Sequence, residues 1–546
     1  MKSYKLSTLC LAPLLAIAVL AQSGPSTIDP RVAIGFDAIG AKNLRADLTF
    51  LASDALEGRM SLQRGSEVAI QFIAAEFAKA GLKPPADGSY LQEVELIEYR
   101  ADPRAMRITL RRGGREEQFG YVKDFIGGFP RETTVSAPVI FAGYGVTAPE
   151  FGYDDYAGVD AKGKIALVFD HEPQENDPKS VFNGVGNTRH ANSRLKVINA
   201  QKHGAVGVLL VSEPNRKHPS NQERLARIPG ILDRITRNAQ QALADSETKI
   251  PLLTVSDALA VKLLEPTGKK PSELQSAIDS TLKSQSRALA DTSVEIRIAN
   301  ADHRRAISHN VIGLIEGSDP SLKDETIVFS GHYDHDGVRE GKIYYGADDN
   351  GSGTVGVIEL ARAFAKNPVK PKRSLLFAVF AAEERGLLGS YYYAAHGLRP
   401  IDKTRAVINF DMIGRNETPS AQTDGLVEIA ADTSNELNLI GVINSPEYRS
   451  VVERENQNVG LKLNYKWDND AALNIFQRSD QFPFALRDIP AVWWFTGFHP
   501  DYHQPTDTVD RINFVKMEKI LKLAYLTGWA FADGANAPRF MAKPIG

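Results

Sequence analysis

The second half of this 546-residue chain alternates short, almost wholly apolar runs with amphipathic ones, and nothing else in it constrains the fold as strongly. "SHNVIGLIEG", "ETIVFSGH", "RSLLFAVFAAEE", "AVINFDM" and "IPAVWWFTG" read as buried strands. "GTVGVIELARAFAKN" and the closing "NFVKMEKILKLAYLTGWAFA" carry apolar residues at helical spacing. Strands apolar on both faces and separated by helices argue for a parallel sheet held between helical layers. The expected fold is therefore α/β: a three-layer α/β/α domain with a mostly parallel mixed sheet. Such sheets collect their ligands at the carboxyl ends of the strands.

The first half has a different texture. "VAIQFIAAEFAKAGLKP" is helical in period and stops at Gly81 with Pro84 beyond, and "YLQEVELIEYR" alternates as a strand does. From about Thr133 to Leu264 short strands and glycine turns take over ("APVIFAGYG", "GKIALVF", "GAVGVLLVS", "IPLLTVS"), with one helix, "SRLKVINAQKHG", among them. Residues 265–290 read as a polar helix leading back out. The economical division is a discontinuous main domain, 31–132 and 291–546, interrupted at 133–290 by a small β-rich α/β module. At 43% hydrophobic residues the chain can bury more than one core, and it has no internal repeat.

The opening "MKSYKLSTLCLAPLLAIAVLAQSG" has Lys2 and Lys5, an apolar stretch and small residues near Ala21, the pattern of a signal peptide over residues 1–21. It predicts export to the periplasm or the medium, with no membrane attachment after cleavage. Cys10, the only cysteine, lies inside it, so disulfides, cysteine–metal sites and a cysteine nucleophile are excluded from the mature chain. Without Lys2 and Lys5 there are 62 basic against 67 acidic residues, a net of −5, and no nucleic-acid footprint is expected. A metal in such a chain must be held by His, Asp and Glu.

The strand ends supply those residues. "TIVFSGHYDHDG" finishes in His332 and Asp334, "GADDNGSG" sets Asp349 at the mouth of a helix, and "FAVFAAEERG" places Glu383 beside Glu384. "VINFDMIGR" finishes in Asp411 and "VWWFTGFHPDYHQPTDT" in Tyr502 and His503. Two carboxylates about 5 Å apart repel by roughly 3 kcal/mol at an effective dielectric near 20, so a buried pair needs a counter-charge, a proton or water. Singly, each residue has a plainer reading: Asp349 as a helix cap, His332 as an ordinary core or surface histidine, Asp411 as a strand-end acid. Jointly, those readings stack uncompensated acids round one sheet edge. Two divalent cations, about 3.5 Å apart in known two-metal sites, explain the mixture better: two histidines, one shared acid, two further acids and one acid left free as a base.

These five segments, in this order, resemble the motif series of the secreted di-zinc exopeptidases, the family of bacterial leucyl-type aminopeptidases and glutamate carboxypeptidase. The likeness runs over about residues 305–530, and "LASDALEGRMSLQRGSEVAIQFIAAEFAKAGLKP" is similar to the family's N-terminal region. The resemblance implies two zinc ions, replaceable by manganese or cobalt, one held by His332 and Asp411, the other by Glu384 and His503, with Asp349 between them. It further implies Glu383 as general base, Asp334 as the partner orienting His332 and Tyr502 as a group polarising the substrate carbonyl. The inserted segment resembles the protease-associated domain. Gln481 in "RSDQFPFA" stands where relatives often have histidine, and His335 in "HYDHDG" is an extra residue that reads as part of the loop. The expected activity is aminopeptidase action on peptides. A carboxypeptidase with Arg415 gripping a terminal carboxylate, a glutaminyl cyclase-like acyl transferase and an inactive receptor-like homologue are the alternatives.

Overall fold

The computed structural model describes residues 28–543, apart from 87, 185, 218, 221–222, 224–238, 424 and 471–472. The signal-peptide segment and Cys10 lie outside the described residues. No helix among the described residues is long and apolar enough to cross a membrane.

Nine strands form the larger sheet: β1 (Leu91–Ala101), β2 (Gln240–Leu243), β3 (Asn300–Ile315), β4 (Thr326–His332), β5 (Ser374–Phe380), β6 (Thr404–Phe410), β7 (Glu436–Ile440), β8 (Lys462–Asn464) and β9 (Ala491–Phe495). Their order is β2-β1-β3-β5-β4-β6-β9-β7-β8. The four central strands, β5, β4, β6 and β9, run parallel, whereas β2, β1 and β3 pair antiparallel on one flank and β7 is antiparallel to β9 on the other. Parallel pairing is thus confined mainly to the centre, where each strand is followed by a crossover.

Side chains of the central strands alternate between two cores. Ile327, Phe329, Leu375 and Phe377 face a helical layer that includes Gly353–Lys366 and Phe514–Asp533, where Phe329 and Phe377 stack with ring centroids 5.3 Å apart. Val328, Leu376, Ala378 and Phe380 face a second cluster with Tyr393 and Phe484. Both faces are covered, which is why these strands read as continuous apolar runs. The helix Arg64–Lys79 ends as expected: Gly81 takes a left-handed φ of +79°, open to glycine at no steric cost.

A second, eight-stranded sheet has its own core, including Phe141, Leu167, Phe169, Leu209 and Val255. Its centre is the parallel set Thr133–Phe141, Ile165–Phe169, Gly207–Val211 and Leu252–Val255, with the helix Ser193–Lys202 capped by Asn192. Its membership differs from the expected 133–290. Strands Arg107–Arg112, Arg115–Gly120, Phe125–Gly128 and Arg287–Ile298 belong to it, while β2, from inside that range, pairs with β1 of the larger sheet. The expected polar helix at 265–290 is shorter, Pro271–Thr281, because the chain turns into strand at Arg287.

Candidate metal centre

The carboxyl ends of β4, β5, β6 and β9 open onto one cavity of about 340 Å³, lined by Asp349, Glu383, Glu384, Asp411, Tyr502 and His503 together with Met412, Gln477, Arg478, Trp493 and Phe498. β5 ends by turning: Ala382 takes a positive φ, and residues 383–385 form a single tight helical turn closed by Gly386 N–H to Glu383 O, which aims both glutamates inward. Asp349 is placed by its backbone, since Asp348 N–H and Asp349 N–H both donate to Asp507 Oδ2 (2.9 and 3.1 Å).

Two groups of potential metal donors result, and Asp349 belongs to both: His332, Asp349 and Asp411 in one; Asp349, Glu384, His503 and His335 in the other. The two oxygens of Asp349 face different histidines. Oδ1 lies 3.6 Å from His332 Nε2, and Oδ2 lies 3.0 Å from His503 Nε2. His332 Nε2 is also 3.5 Å from Asp411 Oδ1 and 3.6 Å from Glu383 Oε2, while His503 Nε2 is 3.4 Å from Glu384 Oε2. Donors about 2.0–2.1 Å from one tetrahedral zinc lie roughly 3.3 Å apart, so these separations suit zinc. His332 Nε2 is buried without a hydrogen-bond partner among the described residues, a further sign that the donor set fits a cation.

The charges behave accordingly. Burial disfavours an imidazolium at His332, but Glu383, Asp411 and Asp334 outweigh it and hold its pKa well above the ordinary range. Burial likewise opposes the charge on His503, and Glu384, with help from Asp336 and Asp349, raises its pKa well above normal. Burial also pushes the Glu383 carboxyl well up, against the pull of His332. Asp349 goes the other way: burial would raise it, yet His503, His335 and His332 hold it far below the usual carboxylate range. Cationic imidazoles thus offset the clustered carboxylates, the electrostatic role a bound divalent cation could also fill.

Outside the donors, the supporting contacts depart from the sequence reading at Asp334. Its carboxylate accepts Glu383 N–H (2.9 Å) and Glu384 N–H (3.3 Å) and lies 3.8 Å from His332 Nδ1, which instead sits 3.1 Å from the Asp334 carbonyl oxygen. The acid side chain thus braces the turn carrying the two glutamates, because that turn offers two free N–H groups and the histidine already has a closer acceptor. Asp336 Oδ2 lies 3.2 Å from His503 Nδ1, and Ser479 Oγ donates to Asp411 Oδ2 at 2.5 Å. Gln481 is not in the cavity; it is buried beneath, donating to Phe476 O and accepting from Asn409. Tyr502 lines the cavity, with burial raising its pKa to about 12. Arg415 does not line the cavity; it is engaged by Asp501 at 2.7 Å.

Three contributors escaped the sequence reading. His335, read as a loop residue, is fully buried with Nδ1 2.7 Å from Glu384 Oε1. Arg478, next to the Ser479–Asp480 pair, lines the cavity with its guanidinium 3.5 Å from Tyr502 Oη. Arg59, in "LEGR", is wholly buried under the centre and donates to four carbonyls: Tyr333 (2.8 Å), Leu51 and Tyr345 (both 2.7 Å) and Gly346 (2.8 Å). It thereby ties the segment before His335 to the segment before Asp349. Burial lowers its pKa to about 10, with Asp507, Asp349, Asp334 and Glu384 acting against that fall, so it stays cationic at neutral pH.

The second sheet reaches the rim. Asn192 Nδ2 donates to Gln477 Oε1 (3.1 Å), and Gln477 Nε2 donates to Thr188 O (3.3 Å). Asn474 Nδ2 lies 3.1 Å from His171 Nε2.

Two stretches of the chain match known protein families. Residues 310–527 match peptidase family M28, and residues 135–263 match the PA domain. Leucine aminopeptidase 2 of Arthroderma otae is 29% identical over 225 residues, which are 37% of this chain and 41% of that protein. A probable zinc metalloprotease of Leptosphaeria maculans is 25% identical over 261 residues, 42% of this chain and 58% of that protein. The chain thus spans about two fifths to three fifths of the length of these relatives. Among solved structures, the aminopeptidase from Aneurinibacillus sp. strain AM-1 aligns with a TM-score of 0.46 at 20% identity, over 94% of this chain and 98% of that one.

Proposed function

We propose that the chain, whose residues 310–527 match peptidase family M28, is a zinc-dependent exopeptidase, acting as an aminopeptidase that removes the N-terminal residue of peptides. The observation that carries this reading is Asp349, whose two oxygens face His332 on one side and His503 on the other, with Glu383 at the same cavity. His332 and Asp411 would hold one zinc ion and Glu384 and His503 a second, with Asp349 between. When bound, the pair supplies Lewis-acid polarisation of the scissile carbonyl and a water acidic enough to deprotonate near neutral pH.

The chain's own residues do the rest. Glu383 takes a proton from the attacking water and passes it to the leaving amine, a role open to it because it lines the cavity but belongs to neither donor group. Asp334 fixes the turn that presents Glu383, so the base is positioned through its own backbone. Tyr502 lines the cavity, and its hydroxyl would donate a hydrogen bond to the carbonyl oxygen as negative charge develops there. Met412, Trp493 and Phe498 give one wall an apolar character suited to an uncharged side chain. Aminopeptidase rather than carboxypeptidase action is supported by the likeness to leucine aminopeptidase 2 of Arthroderma otae and by Asp501 occupying Arg415. Export follows from the reading of residues 1–21.

One observation favours a second reading: Arg478 is a cation on the cavity wall and could take a terminal carboxylate. A panel of peptides with free N-termini, blocked N-termini and amidated C-termini, assayed with and without chelator, separates the two. Aminopeptidase action requires cleavage of free and amidated peptides, none of N-blocked ones and loss of all turnover with chelator. Cleavage of N-blocked peptides that fails on C-terminal amidation would assign carboxypeptidase action.

A further inference from the structure

His335 has no part in the scheme above, yet its side chain is fully buried and faces the centre. Its Nδ1 stands 2.7 Å from Glu384 Oε1, while the other oxygen, Oε2, stands 3.4 Å from His503 Nε2. Each oxygen of Glu384 is therefore met by a different imidazole. The two separations differ in kind. Donors sharing one tetrahedral zinc sit roughly 3.3 Å apart, and the pairs assigned above to one position run from 3.0 Å (His503 to Asp349) through 3.4 Å to the 3.5 and 3.6 Å from His332 to Asp411 and Asp349. A separation of 2.7 Å is instead the length of a charge-assisted N–H···O bond.

The ring has little freedom to do anything else. It lies against Gly346, where an added Cβ would come within 2.5 Å of His335 Cγ, and it meets the His503 ring edge-on at 5.3 Å between centroids. Nε2 is buried with no hydrogen-bond partner among the described residues, so the tautomer that satisfies the ring carries its proton on Nδ1.

We propose that His335 is a positioning residue for the Glu384–Asp349–His503 metal position: it donates Nδ1–H to Glu384 Oε1 and so leaves Oε2 turned toward the ion. This rests on the two-metal reading above. Partners of this kind hold a ligating carboxylate in one orientation, and their loss typically weakens metal binding about 10–100-fold.

The test compares His335→Phe, which keeps a ring against Gly346 but has no donor, with His335→Asn, whose amide nitrogen can stand near the site of Nδ1. Each purified full chain is dialysed against buffers of graded free zinc and its bound zinc counted by mass spectrometry. The proposal expects H335F to need about 10–100-fold more free zinc to fill its second position, and H335N to stay within a few-fold of the wild type. If H335F fails to fold, judged by tryptophan fluorescence, His335→Leu takes its place. Filling of the donor-less variant at wild-type zinc concentrations would overturn the proposal. Equal weakening of H335N and the donor-less variant would also overturn it, assigning the residue to direct coordination or packing. A wild-type chain that never holds two ions would instead sink the two-metal reading, so the two failures are distinguishable.

Discussion

Replacing Arg59 by methionine keeps most of the side chain's volume and removes a buried cation with four hydrogen bonds, and its cost can be worked from the contacts. Charge-assisted bonds contribute roughly 1.5–3 kcal/mol each. Gly346 O retains the N–H of Gly351, and the bond to Tyr345 O is only partly buried, so neither is counted in full. The bonds to Leu51 O and Tyr333 O are buried and count fully, giving about 3–6 kcal/mol of lost stability. Arg59→Lys, with one point charge for four acceptors arranged around a planar fork, recovers only part of this. Urea unfolding followed by tryptophan fluorescence is a suitable assay, because all four tryptophans, Trp467, Trp493, Trp494 and Trp529, lie in the region that matches family M28 or in the closing helix. The signal reports that unit alone. Zinc content measured on the same samples shows whether the tie between the His335 and Asp349 segments matters to the centre. A loss under about 1 kcal/mol with normal zinc content would refute the view of Arg59 as a buried clamp.

Glu383→Gln should keep two zinc ions and lose about 10²–10⁴-fold in turnover, the usual contribution of a general base, whereas Asp349→Asn should weaken both positions at once. Near-normal turnover of E383Q, or two tightly held ions in D349N, would contradict the assigned roles. Asp468 gives a test of pH dependence away from the centre. Half-buried and accepting N–H groups from Gly441 and Ile443, it is pushed up by loss of solvation to about 7. A folded-state pKa above the unfolded value near 3.9 means the native state binds the proton more tightly. That stability is full below about pH 4 and is lost as pH rises through 7. Asp468→Asn should therefore show a smaller drop in Tm than the wild type between pH 5 and pH 8, and parallel curves would refute the assignment.

The strand ends were legible because burial on both faces writes an unbroken apolar run, and the first polar residue after it marks the carboxyl edge. His332, Glu383, Glu384 and Asp411 stood at such marks, with Asp349 and His503 on the turns nearby; the structure brings all but His332 to one cavity and sets His332 against Asp349 and Asp411. Asp334 was visible as a residue but not as a contact, since whether a loop carboxylate meets a ring or a backbone N–H depends on how the next strand's turn approaches it. His335 was missed for the same reason: one residue's direction on a loop has no period to read. Arg59 gave no signal because its partners are carbonyl groups, which every residue has. The limits of the inserted module were blurred because alternation looks the same in either sheet. Nothing in "QQAL" says that Gln240–Leu243 pairs with Leu96–Tyr99 instead of a nearer strand.

Gln477 is gripped at both atoms of its amide by Asn192 and Thr188, and it sits beside Arg478 on the cavity wall. The cavity is therefore a shared construction: one stretch of its rim takes its shape from a part of the chain that contributes none of the cavity's candidate metal donors. Trimming the second sheet away would leave that rim without its anchor, and on the proposed reading a shortened chain would differ in which peptides it admits before it differed in how it cuts them.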